Sequence, residues 1–309
     1  MVSGKTGGTA MIHTQCAICE TDAWDCELYP DRLGAEPATY GRFSARRQPD
    51  RVHYRMVRCR NCGLIRSDPV LPEEELARLY RGSRFDYKNE SVCARLTYAH
   101  YVKESLPLLK ERARMLEIGC GNGFFLEKAL ELGFAEVYGI EPSSQAVAAA
   151  APTLRGHIKN ELFQAGLYPP GWFNLICGFQ VFDHLTRPNE VLQTCKLLLA
   201  SGGLVLFIHH DAGAWTNRLL GERSPIIDIE HTYLYDKNTV VRIFAKNGFE
   251  VLRVFSVRND YPLAYWCKMA PMPAWMKSKL LPAATRSRCG GWIVPMRAGN
   301  LGIVARVGG

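Results

Sequence analysis

A series of glycines between an apolar segment and an amphipathic one constrains the fold most, in MLEIGCGNGFFLEKALELGF, residues 115–134. The glycines stand at alternate positions, Gly119, Gly121 and Gly123, and Glu117 precedes the first by two residues. An apolar strand that leads into a glycine loop and a helix lets a ligand approach the backbone closely. In a dinucleotide site the third glycine stands one residue further on. The series therefore indicates a nucleotide site of another type.

Strand and helix patterns alternate from residue 114 onward. Apolar segments such as EVYGIE, FNLICGFQVF and LVLFIHHD predict strands, whereas FFLEKALELG, PNEVLQTCKLLLASGG and KNTVVRIFAKNGF predict helices. Alternation of this kind predicts an α/β fold, with a doubly wound, largely parallel sheet and helices on both faces. A glycine turn in any doubly wound protein stays an alternative for the loop. A phosphate-binding P-loop is disfavoured because no Gly-Lys-Ser/Thr follows.

The series Glu117-x-Gly119-x-Gly121-x-Gly123 resembles motif I of the class I S-adenosylmethionine (SAM)-dependent methyltransferases, which have a Rossmann-like sheet. The resemblance implies that the leading acid helps to hold the amino-acid part of SAM, while the glycines admit the cofactor. It also implies an acid after the second strand that accepts both ribose hydroxyls, and Glu141 stands there. The predicted cofactor-binding residues are Glu117, Gly119, Gly121, Gly123, Glu141, Tyr80 and Phe179.

The resemblance spans about residues 60–309, and outside motif I and Glu141 its motifs are less specific. FNLICGFQVFDHL is similar to the family's fourth strand and its acid-His loop, with Asp183-His184 where the usual pair is Glu-His. AGNLGIVARV would be the last strand, which is antiparallel in this family. Aromatic residues of the helix before motif I, Tyr80, Phe85 and Tyr87, either cover the cofactor or belong to the core.

Methyl transfer needs an aligned acceptor and often a base that removes its proton. His231, beside Glu230, and His184, after the fourth strand, are the predicted catalytic residues, because an imidazole titrates near neutral pH. His209 and His210 end the fifth strand and are weaker candidates. A structural role stays an alternative for each of these histidines.

Two short cysteine pairs, Cys16-x-x-Cys19 and Cys59-x-x-Cys62, stand near the start of the chain. Four thiolates form the closed tetrahedral site of structural zinc, and the long insert between the pairs is tolerated because loop-closure entropy grows slowly with length. Two unrelated redox or buried pairs are the alternative. The layout resembles the zinc-binding domain fused to methyltransferases of bacterial sugar and secondary-metabolite pathways, which implies a structural Zn2+.

Positive charge is concentrated in two segments of the chain. From Arg42 to Arg66 there are eight arginines and one aspartate, and from Tyr261 to Gly309 there are seven basic residues and no acid, so each segment carries +7. With a total of +8, the remainder carries about −6. The pattern suits an anionic partner such as a phosphate or nucleotide, or else a solvated surface. Eleven cysteines, no apolar run long enough for a membrane span and no signal sequence predict a cytoplasmic protein without a membrane partner.

The predicted organisation is a flexible leader over 1–14, a zinc-binding domain over 15–72, a helical linker that covers the cofactor over 73–112, and a methyltransferase domain over 113–309. The last part ends in a basic, tryptophan-rich region predicted to be a substrate lid. The predicted function is SAM-dependent methylation, on oxygen or carbon, of a small anionic metabolite such as a nucleotide-linked sugar. A zinc-containing nucleic-acid-binding protein and a non-catalytic scaffold are the alternatives, and the first lacks a recognition helix.

Overall fold

The structure is a computed structural model that describes residues 10–34, 43, 50–82, 90–270 and 272–308. Its strands are β1 (Asp25–Tyr29), β2 (Met56–Cys59), β3 (Ile65–Ser67), β4 (Arg114–Ile118), β5 (Glu136–Ile140), β6 (Ile158–Lys159), β7 (Phe173–Phe179), β8 (Leu199–His210), β9 (Tyr233–Leu234), β10 (Phe249–Ser256), β11 (Asn259–Pro262), β12 (Ile293–Met296) and β13 (Asn300–Val307). Its helices are α1 (Glu73–Arg81), α2 (Glu90–Ser105), α3 (Phe124–Glu131), α4 (Ser144–Ala148), α5 (Pro152–Arg155), α6 (Pro188–Leu198), α7 (Trp215–Leu220), α8 (Lys237–Lys246), α9 (Leu263–Met269) and α10 (Ala274–Arg286).

The central sheet has seven strands in the order β10-β13-β8-β7-β4-β5-β6. β4 runs parallel to β5 and β7, β5 to β6, and β7 to β8. β13 lies between β8 and β10 and is antiparallel to both. The predicted α/β fold and the predicted antiparallel last strand are thus confirmed.

The sheet separates two apolar cores because successive side chains of a strand point to opposite faces. Leu116 of β4 packs in one core, together with side chains of α6 and α8 such as Leu192 and Phe244. Met115 packs in the other core, with side chains of α2 and α3 such as Phe125. Helices therefore cover both faces, as the alternating pattern predicts.

Local sequence sets the ends of several helices. α4 begins after Ser143, whose hydroxyl accepts a hydrogen bond from the N–H of Ala146 (3.3 Å). α8 begins with a capping box, in which Asp236 and Thr239 satisfy each other's backbone N–H groups. α2 ends at Ser105 and continues as one 3-10 turn that contains Pro107, which has no N–H for a further helical bond.

The N-terminal part forms a second sheet, β1-β2-β3-β9, whose last strand comes from the part of the chain that also forms the central sheet. Ile65 pairs with Leu234, and Arg66 pairs with Tyr233. The Tyr233 hydroxyl also donates to the carbonyl of Gln15 (2.9 Å). Because one sheet crosses the predicted boundary at residue 72, the two parts are joined by backbone hydrogen bonds as well as by the linker.

Residues 10–14 of the predicted flexible leader contact the second sheet. Ile12 forms an isolated bridge with Val70 through two N–H···O bonds of 2.9 Å. The N–H of Thr14 donates to Oδ1 of Asp68 (2.7 Å), and its hydroxyl donates to the carbonyl of Ser67 (2.8 Å). These bonds fix the segment against the second sheet, and they could not be predicted because the partners lie more than 50 residues away. Residues 1–9 of the predicted leader lie outside the described residues.

Candidate active site

A cavity of about 1120 Å³ opens at the carboxyl edge of the central sheet. The strand order reverses between β4 and β7, so the loops that follow these two strands diverge and leave a crevice between them. Ligands of open α/β sheets bind in crevices of this kind. Gly123 begins helix α3 and does not line the cavity. The other predicted cofactor and catalytic residues all line it: Tyr80, Glu117, Gly119, Gly121, Glu141, Phe179, His184 and His231.

The glycine loop after β4 has two positions where an added side chain would be strained. Gly119 has φ 71°, and a Cβ there would lie 3.1 Å from Cγ2 of Val181. Gly123 has φ 75°, and its Cβ would lie 3.2 Å from Cδ1 of Ile158. Left-handed backbone costs other residues roughly 1–2 kcal/mol. The loop thus keeps its backbone open to the cavity at Gly119.

Glu117 is buried, with 1% of its surface exposed, although it lines the cavity. Its Oε2 has no hydrogen-bond partner among the residues that the structure describes. Burial raises the pKa of Glu117 well above its ordinary value, and the nearby charge of Glu141 raises it further. An unsatisfied buried polar group costs about 1–3 kcal/mol. The position therefore fits a ligand that brings a hydrogen-bond donor or a positive charge, as the amino group of SAM does.

Glu141 follows β5 and holds the glycine loop from the other side. Its Oε2 accepts from the N–H of Gly121 (2.9 Å), and its Oε1 accepts from the N–H of Ser143 (2.8 Å). Burial raises the pKa of Glu141, and these two backbone bonds oppose the rise. Each carboxylate oxygen has a second lone pair. The group therefore fits a pair of ribose hydroxyls while it keeps its backbone bonds.

An aromatic pair stands at the end of β7. The ring of Phe179 stacks on Tyr98 of α2, with centroids 4.2 Å apart and planes 6° apart, and meets Phe125 edge-on at 4.9 Å. Phe179 and Tyr98 both line the cavity. Tyr98 was not among the predicted residues, because nothing in the sequence distinguishes a tyrosine in a cavity wall from a tyrosine in the core.

The predicted histidines meet around one buried carboxylate, Asp183. His210 Nδ1 lies 2.5 Å from Asp183 Oδ2, and His231 Nε2 lies 3.8 Å from the same oxygen. His184 Nε2 lies 3.6 Å from Asp183 Oδ1. Burial by itself raises the pKa of Asp183, but the three imidazoles outweigh it and hold the pKa well below its ordinary value. The cluster therefore contains one ionised carboxylate that can stabilise a positive charge on its imidazoles.

The tautomer of His231 follows from its neighbours. Its Nδ1 lies 2.8 Å from the carbonyl oxygen of Ile226, which can only accept, so Nδ1 carries the proton. In the neutral ring, Nε2 therefore carries a lone pair. This nitrogen lies near Asp183, and His231 lines the cavity. Burial lowers the pKa of His231, and Asp183 only partly offsets this effect. His231 is thus a neutral imidazole with an available basic nitrogen at neutral pH.

Tyr80 contacts the histidine cluster. Its hydroxyl lies 3.1 Å from Nδ1 of His184, and the ring of His184 meets that of His231 edge-on with centroids 4.8 Å apart. The prediction that Tyr80 covers the cofactor remains a prediction, and its described hydrogen bond is on the histidine side. Phe85 and Tyr87 lie outside the described residues.

The two histidines that end β8 have opposite environments because the strand alternates. His209 is fully buried, and burial lowers its pKa. His210 lines the cavity and contacts Asp183. Both are weaker predicted candidates than His231 and His184. The alternation along the strand was the signal that could have separated His210 from His209.

The four paired cysteines come together beside the second sheet. Their sulfur atoms lie within 4.8 Å of one another, with Cys16 Sγ and Cys62 Sγ 3.3 Å apart and Cys19 Sγ and Cys59 Sγ 3.8 Å apart. A tetrahedron with Zn–S bonds of about 2.3 Å has edges of about 3.8 Å. The N–H of Leu64 also points to Cys62 Sγ (3.5 Å). The donor set fits a structural zinc ion.

Part of the first basic segment is neutralised within the fold. Arg66 is fully buried and forms two hydrogen bonds to the carboxylate of Asp25. Arg55 Nη2 lies 2.6 Å from Oδ2 of Asp68. Arg42, Arg46 and Arg47 lie outside the described residues. These two described arginines therefore stabilise the second sheet, which makes their charge less available to a ligand.

A family profile described as a methyltransferase domain matches residues 92–254, which are 163 of the 309 residues. The chain belongs to this methyltransferase family, and SAM is the cofactor of that family. The match begins in α2 and ends in β10, so it includes the glycine loop, Glu141 and the histidine cluster.

Individual relatives match shorter parts of the chain. A "Ubiquinone biosynthesis O-methyltransferase" of Caulobacter sp. (strain K31) is 32% identical over 106 residues, which are 31% of this chain and 40% of that protein. An uncharacterized methyltransferase of Geobacillus kaustophilus is 32% identical over 147 residues, 44% of this chain and 68% of that protein. The chain thus spans about two fifths of the length of the ubiquinone-pathway relative. The predicted likeness to sugar-pathway enzymes stays a prediction.

Solved structures of SAM-dependent methyltransferases also resemble the chain. One from Archaeoglobus fulgidus has 17% identity and a TM-score of 0.45, over 68% of this chain and 93% of the other. One from Aquifex aeolicus has 16% identity and a TM-score of 0.43, over 72% of this chain and 98% of the other.

Among the described residues, no helix is both long and apolar enough to cross a bilayer.

Proposed function

We propose that this protein transfers the methyl group of SAM to a small-molecule acceptor, with a hydroxyl oxygen as the first candidate site and an activated carbon as the second. One observation carries the proposal: the glycine loop with Glu141 and the histidine cluster around Asp183 line the same cavity. A cofactor loop alone defines only a binding site. A basic imidazole in the same cavity adds the group that an acceptor needs to lose its proton.

The cofactor half of the cavity is assigned to three groups. Glu141 accepts the ribose hydroxyls, Glu117 faces the amino-acid part, and the backbone at Gly119 allows close approach. When bound, SAM supplies an electrophilic methyl group and leaves as S-adenosylhomocysteine. The chain's contribution is to align the acceptor with that methyl group and to exclude water from the line of attack.

His231 is the proposed general base. Its Nδ1 proton is held by the carbonyl of Ile226, so Nε2 receives the proton that the acceptor loses. Asp183 stabilises the resulting imidazolium, as a buried carboxylate does for a histidine base. His184, whose Nδ1 is engaged by Tyr80, is the second candidate. His210 shares Asp183 and is proposed to position that carboxylate.

The acceptor class is proposed from the cavity lining and from the relatives. An oxygen acceptor agrees with the O-methyltransferase named among the relatives. The described lining includes acidic side chains near the histidines, Asp228 and Glu230, and Arg187 is its one arginine. This lining favours hydroxyl groups over phosphates. An anionic acceptor, such as a nucleotide-linked sugar, remains the second candidate because of the arginine-rich segment, of which Arg42, Arg46 and Arg47 lie outside the described residues.

A transfer assay with methyl-labelled SAM separates these acceptors. A panel of phenols and catechols is compared with a panel of nucleotide-linked sugars at equal concentration. The lining predicts labelled product from the hydroxyl-rich neutral compounds. Product from the sugar nucleotides alone would support the anionic acceptor. Absence of SAM binding in calorimetry would contradict the proposed function as a whole.

The cysteine cluster is proposed to hold one structural Zn2+, which is closed to substrate because four thiolates complete its coordination. Elemental analysis of the purified protein is expected to find about one equivalent of zinc. Cys19→Ser should lower both the zinc content and the melting temperature, since metal binding is coupled to folding. Cys26→Ser, at an exposed cysteine on β1 of the same sheet, is the matched control and should leave both unchanged. Less than half an equivalent in the unaltered protein would contradict the zinc proposal.

A further inference from the structure

Exposed apolar side chains concentrate on two segments beside the cavity. Of the 14 large apolar side chains that are exposed in the described part of the chain, half lie on α7 or between Ala274 and Met296. Three of the chain's six tryptophans are among them, each more than 60% exposed. Soluble monomers rarely leave such groups together in water without a binding role. The residues are Trp215, Leu219, Trp275, Leu280, Trp292, Ile293 and Met296, and we call them the tryptophan surface.

Positive charge accompanies these side chains. The chain has seven basic residues and no acid from Tyr261 to Gly309, and one of them, Arg306, is paired with Glu250 of β10. Lys279, Arg286, Arg288 and Arg297 are exposed. In the described part of the chain none of these four side chains forms an ion pair with an acid, whereas Arg55 and Arg66 of the first basic segment are paired with aspartates. The tryptophan surface therefore offers tryptophan, aliphatic groups and uncompensated positive charge in one region.

The tryptophan surface is continuous with the mouth of the cavity. Met296 is 39% exposed and also lines the cavity. The indole N–H of Trp266, another lining residue, donates to the carbonyl of Val294 (2.9 Å), which ties α9 to β12. On the other side of the mouth, α7 contacts the turn that follows β12. A Cβ added to Gly299 in that turn would lie only 2.7 Å from Nδ2 of Asn217 in α7.

We propose that the tryptophan surface docks on the anionic surface of a lipid bilayer. Tryptophan and aliphatic side chains beside lysine and arginine are the composition of peripheral membrane contacts, since the apolar groups enter the interface and the cations meet lipid phosphates. Contact is peripheral, because no described helix can span a bilayer.

The other occupants fit this surface less well. A nucleic acid would leave the aliphatic groups, such as Leu219 and Ile293, against phosphate and water. A second copy of the chain would bring the same uncompensated positive charges face to face. Docking turns the cavity mouth toward the bilayer, where an amphiphilic acceptor is concentrated, and this last consequence rests on the proposed function.

Co-sedimentation with vesicles tests the docking surface. The full-length protein is mixed with vesicles of phosphatidylcholine alone or of phosphatidylcholine with phosphatidylglycerol. We expect sedimentation with the anionic vesicles and release at high salt. Lys277→Gln with Lys279→Gln should weaken partition about thirtyfold, because each lysine near an anionic surface contributes about 1 kcal/mol and 1.4 kcal/mol is tenfold. Trp275→Ala with Trp292→Ala should weaken it at least tenfold.

Matched controls lie elsewhere on the chain. Trp24→Ala removes a tryptophan that is 52% exposed near the second sheet. Lys110→Gln with Lys196→Gln removes two exposed lysines beside Gly202 and Gly248, at the opposite edge of the central sheet. Each control should keep vesicle partition within twofold of the unaltered protein. All variants should keep the melting temperature of the unaltered protein, which shows that they are folded.

Three results would overturn the docking proposal. The first is no sedimentation with anionic vesicles. The second is equal loss of partition in the control variants. The third is a dimer in sedimentation velocity that Trp275→Ala with Trp292→Ala abolishes, without vesicle binding. The assay contains neither SAM nor an acceptor, so its failure leaves the proposed methyl transfer to be tested separately.

Discussion

The two sides of the cavity offer their proposed ligands different groups. The proposed cofactor side has a tight backbone loop and Glu141, whose carboxylate accepts from two backbone N–H groups. The proposed acceptor side has imidazoles that surround one buried carboxylate, Asp183. The first side is set for binding, whereas the second can take up a proton. Substitutions on the first side should therefore alter SAM affinity, and those on the second should alter turnover.

The largest effect is expected for the base. His231→Asn should lower turnover about 10²- to 10⁴-fold, the usual contribution of general base catalysis, and keep SAM affinity within twofold. Steady-state kinetics with labelled SAM and calorimetry give the two values. His100→Asn, an exposed histidine on α2, is the control and should change neither. Unaltered turnover in His231→Asn would remove this residue as the base and leave His184 to be tested in the same way.

A smaller effect is expected for the loop. Gly119→Ala should weaken SAM binding about tenfold, because the new Cβ would meet Val181 at 3.1 Å and the left-handed backbone costs roughly 1–2 kcal/mol. Gly156→Ala is the control, since its φ is −69° and nothing lies within 4 Å of the added Cβ. Calorimetry should show normal SAM affinity in the control. Equal affinity in both variants would mean that the loop does not set the cofactor site.

The smallest effect is a shift in pH dependence. Burial lowers the pKa of His231 below its ordinary value of 6.5, and a base acts in its neutral form. As pH falls, kcat/KM should therefore decline with a midpoint below pH 6.5. The profile of the unaltered enzyme, measured at acceptor concentrations below KM, gives the midpoint of this decline. A midpoint above 6.5 would contradict a buried neutral base and favour an exposed histidine.

The cofactor side was predictable from the sequence because its parts are close along the chain. Glu117 and the three glycines all lie within residues 117–123, and Glu141 follows at the end of the next strand. Because the two strands are predicted to be parallel neighbours, Glu141 is expected beside Gly121. The central sheet was predictable for the same reason, because the apolar periodicity of each segment identifies it as a strand or a helix. The parallel direction of the strands then follows from the helical connections between successive strands.

The acceptor side was only partly predictable because it joins distant elements. Position after β7 identifies His184, but nothing local shows that Asp183 also meets His210 and His231. The N–H of Thr232 donates to the carbonyl of Asp183 (2.9 Å), and this bond between residues almost 50 positions apart brings His231 into place. The sharing of β9 with the second sheet was missed for the same physical reason.

Calorimetry of SAM binding tests the central claim most directly. Glu141→Ala removes the proposed acceptor of two ribose hydroxyls, and hydrogen bonds to a charged group contribute about 1.5–3 kcal/mol each, so affinity should fall at least 100-fold. Glu111→Ala, an exposed glutamate before β4, is the control and should bind SAM like the unaltered protein. The account predicts binding to the unaltered protein and to the control but not to Glu141→Ala at the same concentrations. No binding to the unaltered protein, or equal binding to all three, would contradict it.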